Sequence, residues 1–256
     1  MADLLLDNGP DALRVSSGGA LICRYNHGTA LWKPYVFPLH VPGGPNLLDD
    51  APGDHPHHHG LWFGHGKVHD AQGASHDVWL ERPGCGRIDH ANVVLLRDGW
   101  EASATWRAAD GHPLARDHRT FRVEVGADRV TLHVDYRLEG EGVHLQGTNE
   151  AGLPHLRPAP WITAQGGGGA RDAQGREGEA GIFGRPAAWV DYGGTLDGTR
   201  YALRVDAHPE NLGRPPRWFV RDYGPFSPND GFFDGEPVAL PLHYRFTVIA
   251  YRGDRP

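Results

Sequence analysis

Apolar and polar residues alternate along several segments of the chain, which is the period of a half-buried β-strand. In RVTLHVDYRLEG every second residue from Val130 to Leu138 is apolar, and the residues between them are polar. The same alternation continues upstream, where the turn dipeptide Asp98-Gly99 separates two alternating runs. The pattern predicts a meander of four strands between residues 87 and 138, and a further long strand at 243–253.

Glycine and proline are unusually frequent, with 36 and 21 of the 256 residues. Both residues break helices, and no window of 11 or more residues carries an apolar helical stripe. The glycine-rich segment Gln165–Glu179 is typical of a flexible loop between strands. Many antiparallel strands need two packed sheets to bury their apolar faces. We therefore predict an all-β fold, a large antiparallel β-sandwich that forms a single domain over residues 1–256.

Charge and motif content exclude several classes of function. The formal net charge is −7 and no run of Lys and Arg exceeds two residues, so we expect no nucleic-acid partner. The apolar runs are too short to span a bilayer, and no secretory signal is recognised at the start. Two cysteines, Cys23 and Cys85, are typical of a reduced cytoplasmic setting. GxGxxG, GxxxxGK[ST] and GxSxG are absent, so we expect neither a nucleotide cofactor nor a serine hydrolase.

The most informative feature is a histidine tract, because seven of the 17 histidines lie between residues 55 and 76. Imidazole ligates transition metals and also transfers protons near neutral pH. A divalent first-row transition metal is therefore one expectation, and metal-free acid–base catalysis is the other. A solvated loop is the alternative without function. The candidate metal ligands are His40, His55, His57, His58 and His65, with Asp54 or Glu81 as a carboxylate ligand.

Residues outside the metal set complete the candidate site. Tryptophans bracket the tract, and aromatic faces commonly stack on sugar rings. Two proline-rich stretches, 152–160 and 206–224, carry further polar and aromatic groups that suit ligand contacts. The candidate catalytic residues are His57, His58, His155 and Arg221. The candidate substrate-binding residues are Trp62, Trp79, Arg157, His208 and Tyr223.

Four sequence blocks in a fixed order resemble a known bacterial family. They are KPYVFPLHVPGG, DHPHHHGLWFGHG followed by VWLE, FGRPAAWVDYGG, and HPENLGRPPRWFVRDYG, and they run from about residue 33 to 224. They are similar to the PmoA-like family, which is labelled methane oxygenase PmoA or a domain of unknown function. His59 stands where the family commonly has Arg, which favours His55, His57 and His58 as the functional histidines. Arg221 is kept from the family's WHVR block.

The methane-oxygenase label conflicts with the sequence, because a subunit of that membrane enzyme must cross the bilayer and no segment here is able to. The resemblance instead implies a part in bacterial sugar catabolism. A large sandwich with histidines and tryptophans in one cleft also resembles the mutarotase-like supersandwich. This analogy concerns the fold alone.

The expected function is therefore that of a carbohydrate-active enzyme with a small-molecule sugar or glycoside as its partner. The first hypothesis is a metal-assisted lyase or hydrolase that acts on an oxidised (keto) glycoside. A base removes the acidic C–H beside the ketone, and the glycosidic oxygen leaves. The alternatives are a mutarotase- or epimerase-like enzyme and a non-catalytic protein that binds sugar or metal. The sequence does not predict an oligomeric state.

Overall fold

The computed structural model describes residues 4–148, 153–212, 215–229 and 235–254. These ranges contain one five-residue helix, α1 (Gly178–Ile182), and two 3-10 turns, Pro160–Ile162 and Ala164–Gly166. The strands of the same ranges, named β1 to β20 in chain order, are Leu4–Asn8, Ala12–Ser17, Ala20–Asn26, Tyr35–Leu39, Leu61–Trp62, Val68–His69, Ser75–His76, Arg87–Leu96, Gly99–Arg107, Pro113–Val125, Arg129–Glu139, His144–Gln146, His155–Leu156, Gly169–Asp172, Trp189–Leu196, Thr199–Ala207, Arg217–Val220, Phe226–Asn229, Pro237–Ala239 and Leu242–Arg252.

The strands form two large antiparallel sheets and one small sheet. The first large sheet has the order β1-β2-β3-β4-β5-β13-β18-β17, and the second has the order β14-β15-β16-β20-β11-β10-β9-β8. The small sheet has the order β19-β12-β6-β7. Strands from both halves of the chain meet in each large sheet.

Aromatic side chains join the two large sheets. The ring of Tyr25 on β3 lies 5.9 Å from that of Trp100 on β9. Tyr192 on β15 and Phe226 on β18 have ring centroids 4.9 Å apart. These side chains belong to one continuous cluster of buried apolar residues. The predicted all-β antiparallel sandwich is confirmed.

The meander predicted between residues 87 and 138 is present as β8 to β11, and the long final strand is present as β20. On β11 every second side chain from Val130 to Leu138 is buried, as the alternation predicts, and Thr131 between them is buried too. The turn between β8 and β9 needs its glycine, because a Cβ atom on Gly99 would lie 1.9 Å from the carbonyl oxygen of Phe121.

A charged pair lies within the apolar core. The guanidinium of Arg119 donates to both carboxylate oxygens of Asp117 at 2.9 and 2.6 Å, and the indole nitrogen of Trp106 donates to the same carboxylate at 2.8 Å. Arg119 also lies 4.7 Å from the centre of the Phe63 ring. Both charges are buried but paired, which is the condition under which a protein interior tolerates them.

The segment Gln165–Glu179 is not simply a flexible loop, and that prediction is wrong. It contains β14, which pairs with β15 at the edge of the second sheet, and it leads into α1. Arg171 holds this edge strand through hydrogen bonds to Asp191. A strand can form here despite its glycines because the ladder bonds come from the backbone.

No helix in the four described ranges is long and apolar enough to cross a membrane.

Candidate functional site

The first four histidines of the tract, residues 55–59, lie on a loop between β4 and β5 that folds into successive tight turns, and we call it the tract loop. The backbone N–H of His55 donates to Pro52, that of His58 donates to His55, and that of Ala51 donates to His58. These bonds bring the imidazoles of His55, His57 and His58 close together. The centroids of the His55 and His58 rings are 4.6 Å apart, as are those of His57 and His58.

Gly60 anchors the end of this loop against the sheet. A Cβ atom at this position would lie 2.2 Å from the carbonyl oxygen of Val36, so no other residue fits without a backbone shift. The carbonyl of Gly60 accepts a hydrogen bond from the N–H of Arg157. The loop is thus fixed to β4 on one side and to the segment after β13 on the other.

Strand pairing brings His155 to the tract. β13 pairs with β5 so that His155 lies directly opposite Trp62. Their rings are 5.3 Å apart, and the ring of His155 lies 4.2 Å from that of Trp79. Trp62 also stacks on His58 at 5.2 Å. Two histidines and two tryptophans therefore form one packed aromatic group.

A pocket of about 470 Å³ opens in front of this group. Four separate parts of the chain line it, namely the tract loop, residues 66–80, the pair Thr148 and His155, and β17 with the loop that follows it. The predicted site residues that line it are His55, His57, His58, Trp79, His155, Arg221 and Tyr223. The lining also includes Asp77, together with Lys67, Thr148 and Phe219, which were not predicted from the sequence.

The other predicted site residues lie outside this pocket lining. Trp62 is fully buried, so its faces contact His58 and His155. Arg157 lines a neighbouring cavity of about 280 Å³ together with Tyr223, and its guanidinium carbon lies 5.1 Å from the centre of the Tyr223 ring. His208 lies on a separate surface with Arg245 and Thr247.

His40 and His65 are also absent from the pocket lining. His40 forms an isolated bridge with Asn46. His65 is buried, and its Nδ1 accepts a hydrogen bond from the N–H of Lys67. The two candidate carboxylates are divided as well. Asp54 lies 2.9 Å from the imidazole of His55, whereas Glu81 is part of the buried group described next.

A chain of alternating charges supports the back of the pocket, and we call it the Lys33 network. It consists of Lys33, Glu81, His59 and Asp50, and it ends at the uncharged Tyr35, whose hydroxyl donates to Asp50 at 3.2 Å. Oε1 of Glu81 lies 3.2 Å from Nζ of Lys33 and 2.8 Å from Nε2 of His59. His59 also donates from Nδ1 to Asp50 at 2.6 Å. His59 therefore supports the pocket from behind.

Lys33 joins this network to the pocket wall. Its ammonium group donates to the carbonyl oxygen of Trp79 at 2.6 Å and to that of His57 at 3.4 Å. Only 2 % of its side chain is exposed. The only signal for it in the sequence is that it is one of two lysines. Lys33 therefore holds together the two loops that carry His57 and Trp79.

The network sets the charge states of its members. Burial lowers the pKa of His59, but the hydrogen bonds to Asp50 and Glu81 outweigh burial and leave that pKa above 6.5. Burial raises the pKa of Glu81, but His59 and Lys33 outweigh it and leave the pKa below its usual range. The two carboxylates that contact the ring nitrogens of His59 thus favour its protonated form.

The imidazoles of the pocket have the opposite behaviour. Burial, followed by the positive charge of Lys33, lowers the pKa of His57 to about 4. Burial, with His57 next in importance, lowers the pKa of His58 below its usual range, and burial likewise lowers that of His155. All three are neutral near pH 7, which is the form that accepts a proton or ligates a metal.

The charged side chains of the lining are Lys67, Arg221 and Asp77. Arg221 pairs with Glu179 at 2.7 Å, and its guanidinium carbon lies 5.1 Å from the centre of the Phe219 ring. Asp77 accepts hydrogen bonds from the backbone N–H groups of Trp79 and Leu80, which shapes the turn that carries Trp79.

The imidazole rings of His55, His57 and His58 pack against one another. A metal site needs a different arrangement, in which the ring nitrogen atoms converge on one point. Within the described ranges, such a convergence occurs elsewhere in the protein. One donor atom each of Asp70, His76 and His112 lies within 4.8 Å of the other two.

Comparison with known proteins identifies a family and also finds similarity to solved structures. A model for a family of unknown function, DUF6807, matches residues 12–255. This agrees with the unknown-function part of the resemblance, and the family description contains no methane-oxygenase name. No curated protein matches the sequence. Among solved structures, a protein from Escherichia coli K12 that is provisionally described as an aldose 1-epimerase matches over 98% of each chain, with 14% identity and a TM-score of 0.39.

Proposed function

Because the chain belongs to the DUF6807 family of unknown function, we propose from the pocket itself that the protein is a sugar enzyme of the mutarotase or epimerase type. In this reaction the anomeric hydroxyl loses a proton, the ring oxygen gains one, and the sugar ring opens and closes again. The observation that carries the proposal is the placement of three neutral imidazoles beside the indole of Trp79 in one pocket. This chemistry requires an aromatic surface on which the sugar ring stacks and groups that accept protons from its hydroxyls.

His57 is the proposed base. Its ring lies 6.1 Å from that of Trp79, so a sugar stacked on the indole would have its hydroxyls near the imidazole. Nδ1 of His58 is buried and has no hydrogen-bond partner among the described residues. A buried polar atom of this kind is costly unless a ligand satisfies it. The ammonium group of Lys67 is the proposed proton donor to the ring oxygen, because it lines the same pocket.

Mutarotation places fewer demands on the pocket than elimination does. It needs only groups that exchange protons with sugar oxygen atoms, which the neutral imidazoles and Lys67 supply. Elimination also needs a C–H bond beside a ketone placed against the base and a charge that holds the enolate. The lyase or hydrolase hypothesis therefore takes second place.

A metal-assisted lyase or hydrolase acting on a keto glycoside remains the second candidate. The observation that favours it is the presence of two cations, Lys67 and Arg221, in the pocket lining, where they would stabilise an enolate. A divalent metal on the tract histidines would add to that stabilisation and is part of this second proposal. A non-catalytic sugar-binding protein is the third outcome of the experiment below.

The experiment is a polarimetric or NMR measurement of mutarotation with freshly dissolved aldoses. We expect acceleration by the untagged protein and a loss of at least tenfold in His57→Gln. His118→Gln is the matched control, because His118 is exposed on β10, away from the pocket. Cleavage of a keto glycoside without any mutarotation, abolished by a chelator, would establish the second candidate. Sugar binding without turnover of either substrate would leave a binding protein.

A further inference from the structure

A second cluster of ligating side chains lies outside the histidine-tract pocket. Its members are Asp70, His76 and His112, and one donor atom of each lies within 4.8 Å of the others. Nε2 of His76 is 2.8 Å from Oδ2 of Asp70, and Nε2 of His112 is 4.0 Å from the same oxygen. The two imidazole planes are nearly perpendicular, at 80°, with centroids 5.2 Å apart. Two imidazole nitrogens thus face a single carboxylate oxygen.

The hairpin of β6 and β7 positions two of the three groups. Asp70 directly follows β6, and His76 is the last residue of β7. Oδ1 of Asp70 accepts the backbone N–H groups of Gln72 and Ala74 at 3.0 and 2.9 Å. The turn therefore fixes the carboxylate through one oxygen and directs the other oxygen towards the histidines.

The third group comes from a different sheet. His112 lies on the loop between β9 and β10, and its Nδ1 lies 2.6 Å from Oδ1 of Asp110. A carboxylate that accepts the N–H of one ring nitrogen leaves the lone pair of the other nitrogen available. This outer carboxylate is the usual companion of a histidine that ligates a metal. Nε2 of His112 is therefore oriented as a ligand towards Asp70.

We propose that Asp70, His76 and His112 bind a divalent first-row transition metal of the zinc type, with Asp110 as the positioning residue. An ion pair between Asp70 and His76 requires one histidine. The second imidazole, held by its own carboxylate and directed at the same oxygen, is the additional feature that a metal explains. Two imidazoles and one carboxylate are a common ligand set for such metals and leave coordination positions open for water or a small ligand.

The distances are close to those of a loaded site. Metal–nitrogen bonds of about 2.0–2.1 Å place neighbouring donor atoms roughly 3 Å apart. Nε2 of His76 and Oδ2 of Asp70 already lie at this separation. Nε2 of His112 has to move about 1 Å closer to the same oxygen. His112 is exposed on a loop that contains Gly111, so this approach requires no change in the core. A bound metal would connect the small sheet to the second large sheet.

The proposal does not depend on the proposed function, because none of the three ligands lines the histidine-tract pocket. Its experiment uses the full untagged chain, stripped with a chelator and titrated with Zn²⁺ by calorimetry. Co²⁺ absorption spectra report the ligand geometry as a second measurement. We expect one tight site per chain, weakened at least 100-fold by Asp70→Asn and by His112→Gln. Asp110→Asn should weaken it by about 10–100-fold, as is typical of an outer carboxylate.

His57→Gln and His118→Gln are the matched controls and should bind Zn²⁺ as tightly as the original chain. His112→Gln lies on an exposed loop, so its thermal unfolding without metal should equal that of the original chain. Binding that survives both Asp70→Asn and His112→Gln would overturn the proposal, as would binding that His57→Gln removes. Absence of Zn²⁺ binding in the original chain would overturn it too.

Discussion

The ammonium nitrogen of Lys33 lies 3.2 Å from Oε1 of Glu81, the same oxygen that the imidazole of His59 contacts. One carboxylate thus stands between two buried basic side chains. Lys33 also donates to the carbonyls of Trp79 and His57. The stability of the pocket wall and the acidity of its histidines therefore depend on the same interaction.

Glu81→Gln should destabilise the protein strongly. The substitution leaves Lys33 and His59 buried beside a neutral amide, and the loss of one partner from a buried ion pair costs about 3–5 kcal/mol of unfolding free energy. Urea unfolding with a matched control, Asp98→Asn, provides the measurement. Asp98 pairs with Arg122 on the surface, so we expect no change there. Equal unfolding midpoints for the two variants would contradict the role of the network.

The stabilisation by His59 should disappear as the pH rises. The folded pKa of His59 lies above 6.5 because the hydrogen bonds to Asp50 and Glu81 outweigh burial, so the folded state holds the proton more tightly than the unfolded state. This stabilisation is complete below pH 6.5 and is lost as the pH rises through the folded pKa. Unfolding of the original chain and of His59→Gln between about pH 6 and pH 9 measures it. A constant difference over that range would disprove the assignment.

The pH profile of mutarotation should extend to unusually acidic conditions. Burial and Lys33 hold the pKa of His57 at about 4, so its imidazole remains a base well below 6.5. We expect the acidic limb of kcat/KM near pH 4, and we expect Lys33→Met to move it to higher pH because a positive charge is removed. The contribution of His57 to fold stability depends on the same pKa. That contribution is complete above pH 6.5 and is lost as the pH falls through the folded pKa.

An acidic limb at the ordinary histidine pKa would exclude His57 as the base. A limb that Lys33→Met leaves in place would exclude the influence of Lys33. Circular dichroism of each variant at the lowest pH used separates loss of activity from loss of fold.

Trp79→Leu should weaken sugar binding about tenfold, since an aromatic face contributes roughly 1 kcal/mol or more to such a contact. Trp189→Leu is the matched control. Its indole lies 4.1 Å from the guanidinium carbon of Arg204 on the second sheet, outside the pocket lining. Calorimetric titration with aldoses compares the two variants. Equal affinities would remove Trp79 from the binding site.

The sequence predicts the long strands well and the short ones poorly. β8 to β11 and β20 carry 9 to 13 residues each, enough for alternation to be visible, and all of them except the edge strand β8 bury one face. β5 and β13 have two residues each, and two residues have no period. β14 is short and follows a run of glycines, so its partner β15 determines it more than its own sequence does.

Residue chemistry predicted much of the pocket lining, and register determined the rest. His55, His57, His58 and Trp79 can be selected as candidate site residues from their residue types and their closeness in the sequence, without a structure. His155 and His208 look equivalent in sequence, since each lies beside proline, but only His155 lies opposite Trp62. No sequence pattern indicates the role of Lys33, because that role depends on Glu81, a partner far along the chain. The convergence of His112 with Asp70 across two sheets is equally invisible in one sequence.

The pairing of β5 with β13 has a consequence for finding ligands. Trp62 and His155 face each other only when strands from distant parts of the chain have come together, so the pocket exists only in the folded protein. Any sugar that occupies it binds the native state alone and shifts the unfolding equilibrium by mass action. A thermal-shift screen of aldoses, ketoses and keto glycosides would therefore rank substrates by melting temperature before any reaction is known.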